Sequence, residues 1–281
     1  MVSVAVLGAC GGEDPTSTAS TASTAPAPVV LETTTSAPPA SFVVTTVPEI
    51  TATSATVTTQ AVTSPPSAPT TVPSTTSTTL PPEPRTSCQS VIHVGDSTSV
   101  SLISPSYLSD PEQRVDAQYR RVGALDARTV IDGALSTTEV LNDEQVNAFD
   151  RVSAIKADGY EGCWVFALGG NDTANVSVVD GTHEDRVARI ERMMSAIGDD
   201  PVMWVNVFTL KTSGAYRNEN MVLWNEALQE VLPRYPNMRV YDWASAVQEQ
   251  WFQDDDIHYT SAGSAWRAAL IANALAEAFP A

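Results

Sequence analysis

Between residues 13 and 86 the chain holds 22 Thr, 13 Pro and 10 Ser, which is 45 of 74 positions, with one aromatic residue (Phe42), no Lys and no Gly. Such a tract carries too little apolar surface to offset the entropy lost on ordering, so it predicts a long disordered or extended stalk and not a domain. Only residues 87–281 remain to build a core, and that length suffices for one domain. Frequent Pro and β-branched Thr favour polyproline-like backbone, and at ~3.1 Å per residue the stalk would reach at most on the order of 230 Å. Thr beside Pro also offers O-glycosylation sites.

Charge removes whole classes of function. With 15 Lys+Arg against 33 Asp+Glu the formal charge is −18. Nucleic-acid binding depends on cations neutralising phosphates, and electrostatic adhesion to anionic lipid depends on the same residues, so neither is expected. No apolar run reaches the ~18–20 residues of a membrane-spanning helix.

Along 87–281, apolar runs of strand length alternate with segments of helical period. Strands are expected at 90–94, 113–118, 163–168, 201–208 and 238–242, several of them continuously apolar, as in strands covered on both faces. Helices are expected at 183–197, where Thr182 stands as N-cap before Val187, Ile190, Met194 and Ile197, at about 219–232, and at about 261–279. This alternation predicts an α/β fold, a parallel sheet between two helix layers, with ligands bound where the strands end at their C-termini.

Four short motifs fall at such ends: Gly95-Asp96-Ser97 after the first strand, Gly123 after the expected second, Gly169-Gly170-Asn171-Asp172 after the third, and Asp255-Asp256-Ile257-His258 before the last helix. Singly each is common; their order is not. Nucleophilic acyl transfer needs a hydroxyl, a base within hydrogen-bond reach and a group that orients the base. Ser97, His258 and Asp255 fit those roles, since a carboxylate three residues before the imidazole can fold back on its Nδ1–H. Asn171, the Ser97 backbone N–H and that of a nearby Gly fit an oxyanion hole. The weaker alternatives are a solvated acidic run for Asp254-Asp255-Asp256, from which only the three-residue spacing singles out Asp255, and a helix N-cap for Ser97.

These four blocks resemble the SGNH hydrolase superfamily, the GDSL esterases, over essentially the whole of 88–281. The resemblance implies a three-layer α/β/α flavodoxin-like fold with a five-stranded parallel sheet, and an acyl-enzyme on Ser97. It also implies an Asp255–His258 pair and an oxyanion hole from Ser97, a block-two Gly taken as Gly123, and Asn171. Block one reads Gly-Asp-Ser-Thr here, not Gly-Asp-Ser-Leu. Block two carries Tyr119-Arg120-Arg121 close by, so the backbone of Arg120 or Arg121 is an alternative donor. The run from Asn237 to Trp243 resembles secreted or anchored esterase-like domains of actinobacteria. At the other end, Leu7-Gly8-Ala9-Cys10 resembles the lipobox of bacterial lipoproteins, with residues 1–12 as the signal end and Cys10 as the lipidated residue. The implied location is the outer face of the bacterial cell membrane or the cell wall.

The remaining candidates are weaker. Cys88 and Cys163 occupy matching positions at the N-terminal ends of two strands; they form a disulfide if those strands are neighbours, and are otherwise two buried thiols. His93 reads as a satisfied core residue, His183 as an exposed first-turn residue, and Trp251 as core or a sugar-stacking wall. No Cys/His/Asp cluster has metal-ligand spacing and no phosphate loop is present, so no cofactor is expected. The function this implies is a serine esterase acting on small O-acyl groups, acetyl above all, on cell-envelope or extracellular carbohydrate. An O-acetyltransferase with the same triad and an inactive carbohydrate-binding module are the alternatives.

Overall fold

A computed structural model describes residues 83–281; Cys10, the lipobox and the stalk up to residue 82 lie outside the described residues. Five parallel strands form one sheet: β1 (Ser90–Gly95), β2 (Asp126–Ile131), β3 (Cys163–Ala167), β4 (Val202–Val205) and β5 (Met238–Tyr241), in the order β2-β1-β3-β4-β5. Eight α-helices accompany them among the described residues: α1 (Ser97–Val100), α2 (Val115–Arg121), α3 (Ala148–Ala157), α4 (Gly170–Val178), α5 (His183–Ile197), α6 (Asn218–Val231), α7 (Trp243–Ala246) and α8 (Ser261–Ala278).

The apolar strands separate cleanly into two faces. Val91, Cys163, Val165, Met203 and Val205 pack with α2 and α8 through Tyr119, Ile271 and Leu275. Their neighbours in sequence, Ile92, Val94, Trp164, Phe166, Val202 and Trp204, pack with α5 and α6 through Ile190, Met194, Trp224 and Leu228. A side-chain period of two, with both sets apolar, requires helices on both faces. Helix α5 begins and ends where its periodicity predicts, and Thr182 and Asp185 form a reciprocal capping box at its start.

The expected strand at 113–118 is not one. Val115, Tyr119 and Val122 are buried at the four- and three-residue spacing of a helix, and the segment forms α2. The true second strand, β2, lies at the sheet edge, where Asp126 and Arg128 are exposed and no side chain is fully buried, so no apolar run announces it. The strand expected at 201–208 is shorter, ending at Val205. Thr86, placed in the stalk by composition, is buried; its N–H donates to Val122 O, and it pairs with Pro280 in a short bridge.

A disulfide joins Cys88 to Cys163, their Cα atoms 5.7 Å apart, which ties the entry to β1 to the first residue of β3. Both lie at the N-terminal edge of the sheet. At the opposite edge the chain leaves β1 toward one face and β3 toward the other, and this switch point is where open α/β sheets form their crevice.

Candidate active site

Close approach of backbone sets up the first corner. A Cβ on Gly95 would stand 2.3 Å from Ser99 Oγ, so only Gly lets α1 fold back this tightly on β1. Asp96 caps α1 by accepting from Thr98 N–H (2.9 Å) and Thr98 Oγ1 (2.7 Å). Because Asp96 is the cap, the Ser97 hydroxyl is free of that duty and points across the edge.

It meets His258: Ser97 Oγ and His258 Nε2 are 2.9 Å apart, and His258 Nδ1 is 2.6 Å from Asp255 Oδ2. A carboxylate only accepts, so Nδ1 carries the proton and the bare Nε2 accepts from the Ser97 hydroxyl. Asp255 Oδ1 also accepts the N–H groups of Ile257 (3.0 Å) and His258 (2.9 Å). Burial pushes the Asp255 carboxyl up, but the hydrogen bonds from the His258 side chain and from these two backbone groups outweigh it and hold the pKa at about 2. The turn closes through Asp256, whose φ of 62° is left-handed. Asp256 itself faces Lys211, so of the three acidic residues only Asp255 serves the imidazole. The base of the turn is fixed by Gln253 N–H to His258 O (2.8 Å) and Thr260 N–H to Trp251 O (2.9 Å).

The third corner follows β3. Gly169 adopts φ 132° and presses against Trp224, where a Cβ would lie 2.1 Å from the indole nitrogen; the chain then enters α4 with Asn171 buried in its first turn. Asn171 Nδ2 donates to Leu135 O (2.9 Å), and Asn171 Oδ1 accepts from Tyr216 Oη (2.7 Å). Asp172 beside it accepts from Thr137 N–H (2.9 Å) and Thr137 Oγ1 (2.5 Å), with Arg189 bridging Asp172 to Glu139. Burial raises the Asp172 carboxyl to about 6 against these hydrogen bonds. The network fixes the loop that follows β2.

Gly123 does not belong here. Expected beyond the second strand, it instead precedes β2 at the N-terminal edge, with φ 112° and its open side 3.6 Å from Arg85. Arg120 and Arg121 are at the same wrong edge, within α2, where Arg121 bonds Asn273. The error in Gly123 follows from the misplaced strand. The glycine that does follow β2 is Gly133, exposed, one residue past Asp132, whose N–H donates to Gly95 O (3.2 Å).

Ser97 and Asn171 line one small pocket of about 30 Å³, together with Asp96, Tyr216, Tyr259 and Arg267, and with Val207 and Met221 as apolar walls. Arg267 has no motif around it in the sequence. It is 3% exposed, its guanidinium lies 4.8 Å from the ring centres of both Trp243 and Tyr259, and Nη1 donates to Tyr259 Oη (3.1 Å). Its Nε is buried without a hydrogen-bond partner, and no carboxylate pairs with it among the described residues. Tyr216 and Arg267 sit in a loop and mid-helix, with no spacing rule to single them out.

The other expectations resolve simply. His93 is fully buried between Tyr119 Oη (2.7 Å) and Ser99 Oγ (3.2 Å), and burial, with the charge of Arg267, lowers its pKa to about 3, so it is a neutral core residue. His183 is in the first turn of α5 against Glu230 (2.8 Å). Trp251 is stacked between Trp243 and Trp266 and is core; the exposed ring is Trp266.

No family model and no curated protein matches the chain. Solved structures do. The lipase/acylhydrolase from Enterococcus faecalis superposes with a TM-score of 0.51 at 18% identity, covering 68% of this chain and 97% of that one. A carbohydrate acetylesterase family member from Sinorhizobium meliloti gives 0.51 at 14% identity, covering 67% and 98%. At such identities the likeness is one of fold, and the fold is the α/β arrangement expected from the SGNH resemblance.

Proposed function

We propose that this chain is a serine hydrolase of carboxylic esters that takes a short acyl group, acetyl above all, from an alcohol onto Ser97 and passes it to water. The observation that carries this is the unbroken chain Ser97 Oγ–His258–Asp255, with separations of 2.9 and 2.6 Å, at the C-terminal edge of the sheet.

Ser97 Oγ attacks the ester carbonyl while its proton passes to His258 Nε2. Asp255, ionised down to about pH 2, steadies the imidazolium through Nδ1–H. The carbonyl oxygen becomes an oxyanion, received by the Ser97 backbone N–H, the second Nδ2–H of Asn171 and the backbone at Gly133, which takes the part first given to Gly123. Collapse breaks the bond to the alcohol, and His258 returns its proton to the leaving oxygen. Water, deprotonated by the same nitrogen, then attacks the acyl-enzyme and releases Ser97 and the acid.

The pocket beside Ser97 is walled by the apolar side chains of Val207 and Met221, which is in keeping with an acyl group lodged against them. The two structures of like fold, one described as a lipase/acylhydrolase and one as a carbohydrate acetylesterase, are in keeping with ester substrates and with an acylated sugar as the alcohol. An O-acetyltransferase would use the same three residues and replace water by a sugar hydroxyl. A purely sugar-binding module has no use for a nucleophile joined to a base. The lipid anchor at Cys10, an exported location at the outer face of the membrane or in the wall, and an actinobacterial envelope setting belong to the same proposal and rest on sequence; fatty-acid labelling of wild type but not of Cys10→Ala would test the anchor.

Hydrolysis of p-nitrophenyl esters of increasing chain length tests the main reading. Acetate is expected to be cleaved fastest, and Ser97→Ala to lose the activity; a fully active Ser97→Ala protein overturns it. Acetylated glycans as donors and sugar acceptors in the same assay separate hydrolysis from transfer by whether free acetate falls as acceptor is added.

A further inference from the structure

An amide is nearly symmetric in shape but not in chemistry. The reaction proposed above needs the NH₂ end of Asn171, not its oxygen, to face the forming oxyanion. Leu135 O can only accept, so the Asn171 atom 2.9 Å from it must be Nδ2. The other end is then Oδ1, which can only accept, so the Tyr216 phenol 2.7 Å away must donate to it. Leu135 decides which end is which; Tyr216 decides where the amide sits. One Nδ2–H is taken by Leu135 and the second is left for the pocket, which Asn171 and Tyr216 line together with Ser97.

Tyr216 is held as a residue with such a duty would be. It ends a segment between β4 and α6 that is pinned from within by Thr209 Oγ1 to Tyr216 O (2.7 Å), Asn218 N–H to Lys211 O (2.8 Å) and Asn220 Nδ2 to Ala215 O (2.7 Å). The near end of that segment donates Leu210 N–H to Asp256 O (2.9 Å), on the turn that carries Asp255 and His258. One stretch of backbone therefore ties the oxyanion side of the site to the base. Burial, with the Asp96 carboxylate nearby, holds the Tyr216 phenol above its ordinary pKa, so the hydroxyl keeps the proton it donates.

We infer that Tyr216 is a positioning residue for the reaction: its hydroxyl anchors Asn171 Oδ1, aims the free Nδ2–H at the oxyanion, and by drawing charge toward Oδ1 strengthens that N–H as a donor. This rests on the esterase reading. It acts only through Asn171, which gives it a signature that a merely structural role lacks.

The test is a double-mutant cycle on p-nitrophenyl acetate with Tyr216→Phe, Asn171→Ala and both together, each checked for an unchanged melting profile. Asn171→Ala is expected to lower kcat by about 10²–10³-fold, as loss of one oxyanion donor does. Tyr216→Phe is expected to lower kcat by about tenfold, the scale of one lost hydrogen bond, with KM unchanged. In the Asn171→Ala background the same change should cost nothing further. Equal losses in both backgrounds, or no loss in either, overturn the inference. A fully active Asn171→Ala protein would sink the functional reading and the inference with it. The side-chain amide protons of Asn171, identified by their absence in Asn171→Ala, supply a readout independent of turnover: in Tyr216→Phe they should shift or broaden, and an unmoved pair contradicts the assignment.

Discussion

The two edges of the one sheet are built for opposite purposes. At the N-terminal edge the chain is closed upon itself: Cys88 is bonded to Cys163, Thr86 pairs with Pro280, Ala281 N–H donates to Arg85 O, and Arg121 reaches Asn273. At the C-terminal edge four loops converge without any covalent tie; Ser97, His258 and Asp255 are joined only by hydrogen bonds, and some polar atoms are left without a partner. Ser97 is spared from capping, one hydrogen of the Asn171 amide is unclaimed by Leu135, and Arg267 Nε is buried without a partner. Unspent polar groups are costly in a folded protein, so their gathering at one edge marks where chemistry is done, while a saturated edge marks where stability is made.

The contrast breaks most sharply on the catalytic side. Ser97→Ala or His258→Ala should reduce kcat on the order of 10⁴-fold or more while leaving the melting temperature near that of wild type. An equal loss of stability would mean that these residues are structural. At the other edge the expected effect is the reverse. Opening the Cys88–Cys163 bond, which spans 75 residues, should cost about 4 kcal/mol by chain entropy and leave turnover intact at temperatures where the protein stays folded. A fall in kcat under folding conditions would show that the edges are coupled.

Gly123→Ala tests whether that glycine serves the backbone alone. Its φ of 112° strains any side chain, so a loss of about 1–3 kcal/mol is expected in denaturant unfolding, with kcat unaffected. A selective loss of kcat would restore it to the oxyanion hole.

The smallest effects are pH slopes, at most about 1.4 kcal/mol per pH unit for each group. His93 is held down to about 3 from an ordinary 6.5, so the unfolded chain binds its proton first and this group makes stability rise with pH between those values. Asp172 is held up at about 6 from an ordinary 3.8, so the folded chain binds the proton more tightly and this group makes stability fall as pH rises through that window. The two oppose each other between about pH 4 and 6. Relative to wild type, Asp172→Asn should tilt the denaturation midpoint upward with pH and His93→Gln should tilt it downward; parallel profiles would contradict both assignments.

Legibility followed the same division. Strands buried on both faces, such as Cys163–Ala167, and helices with caps, such as His183–Ile197, declare themselves by period and composition. So do Ser97, Asn171, Asp255 and His258, because each sits near the end or start of such an element. The edge strand Asp126–Ile131 does not, since one open flank permits charged residues, and missing it misplaces the glycine expected after the second strand. Tyr216 and Arg267 were illegible for another reason. Their partners, Asn171 at 45 residues and the Trp243 ring, are brought to them only by the crossovers of the folded chain.

Whether His258 activates Ser97 for acyl transfer is decided by intact mass after exposure to a fluorophosphonate. One phosphonyl group, on Ser97, is expected in the wild-type protein, none in Ser97→Ala, and strongly slowed labelling in His258→Ala. A folded wild-type protein that stays unlabelled, or Ser97→Ala labelled to the same extent, would contradict it.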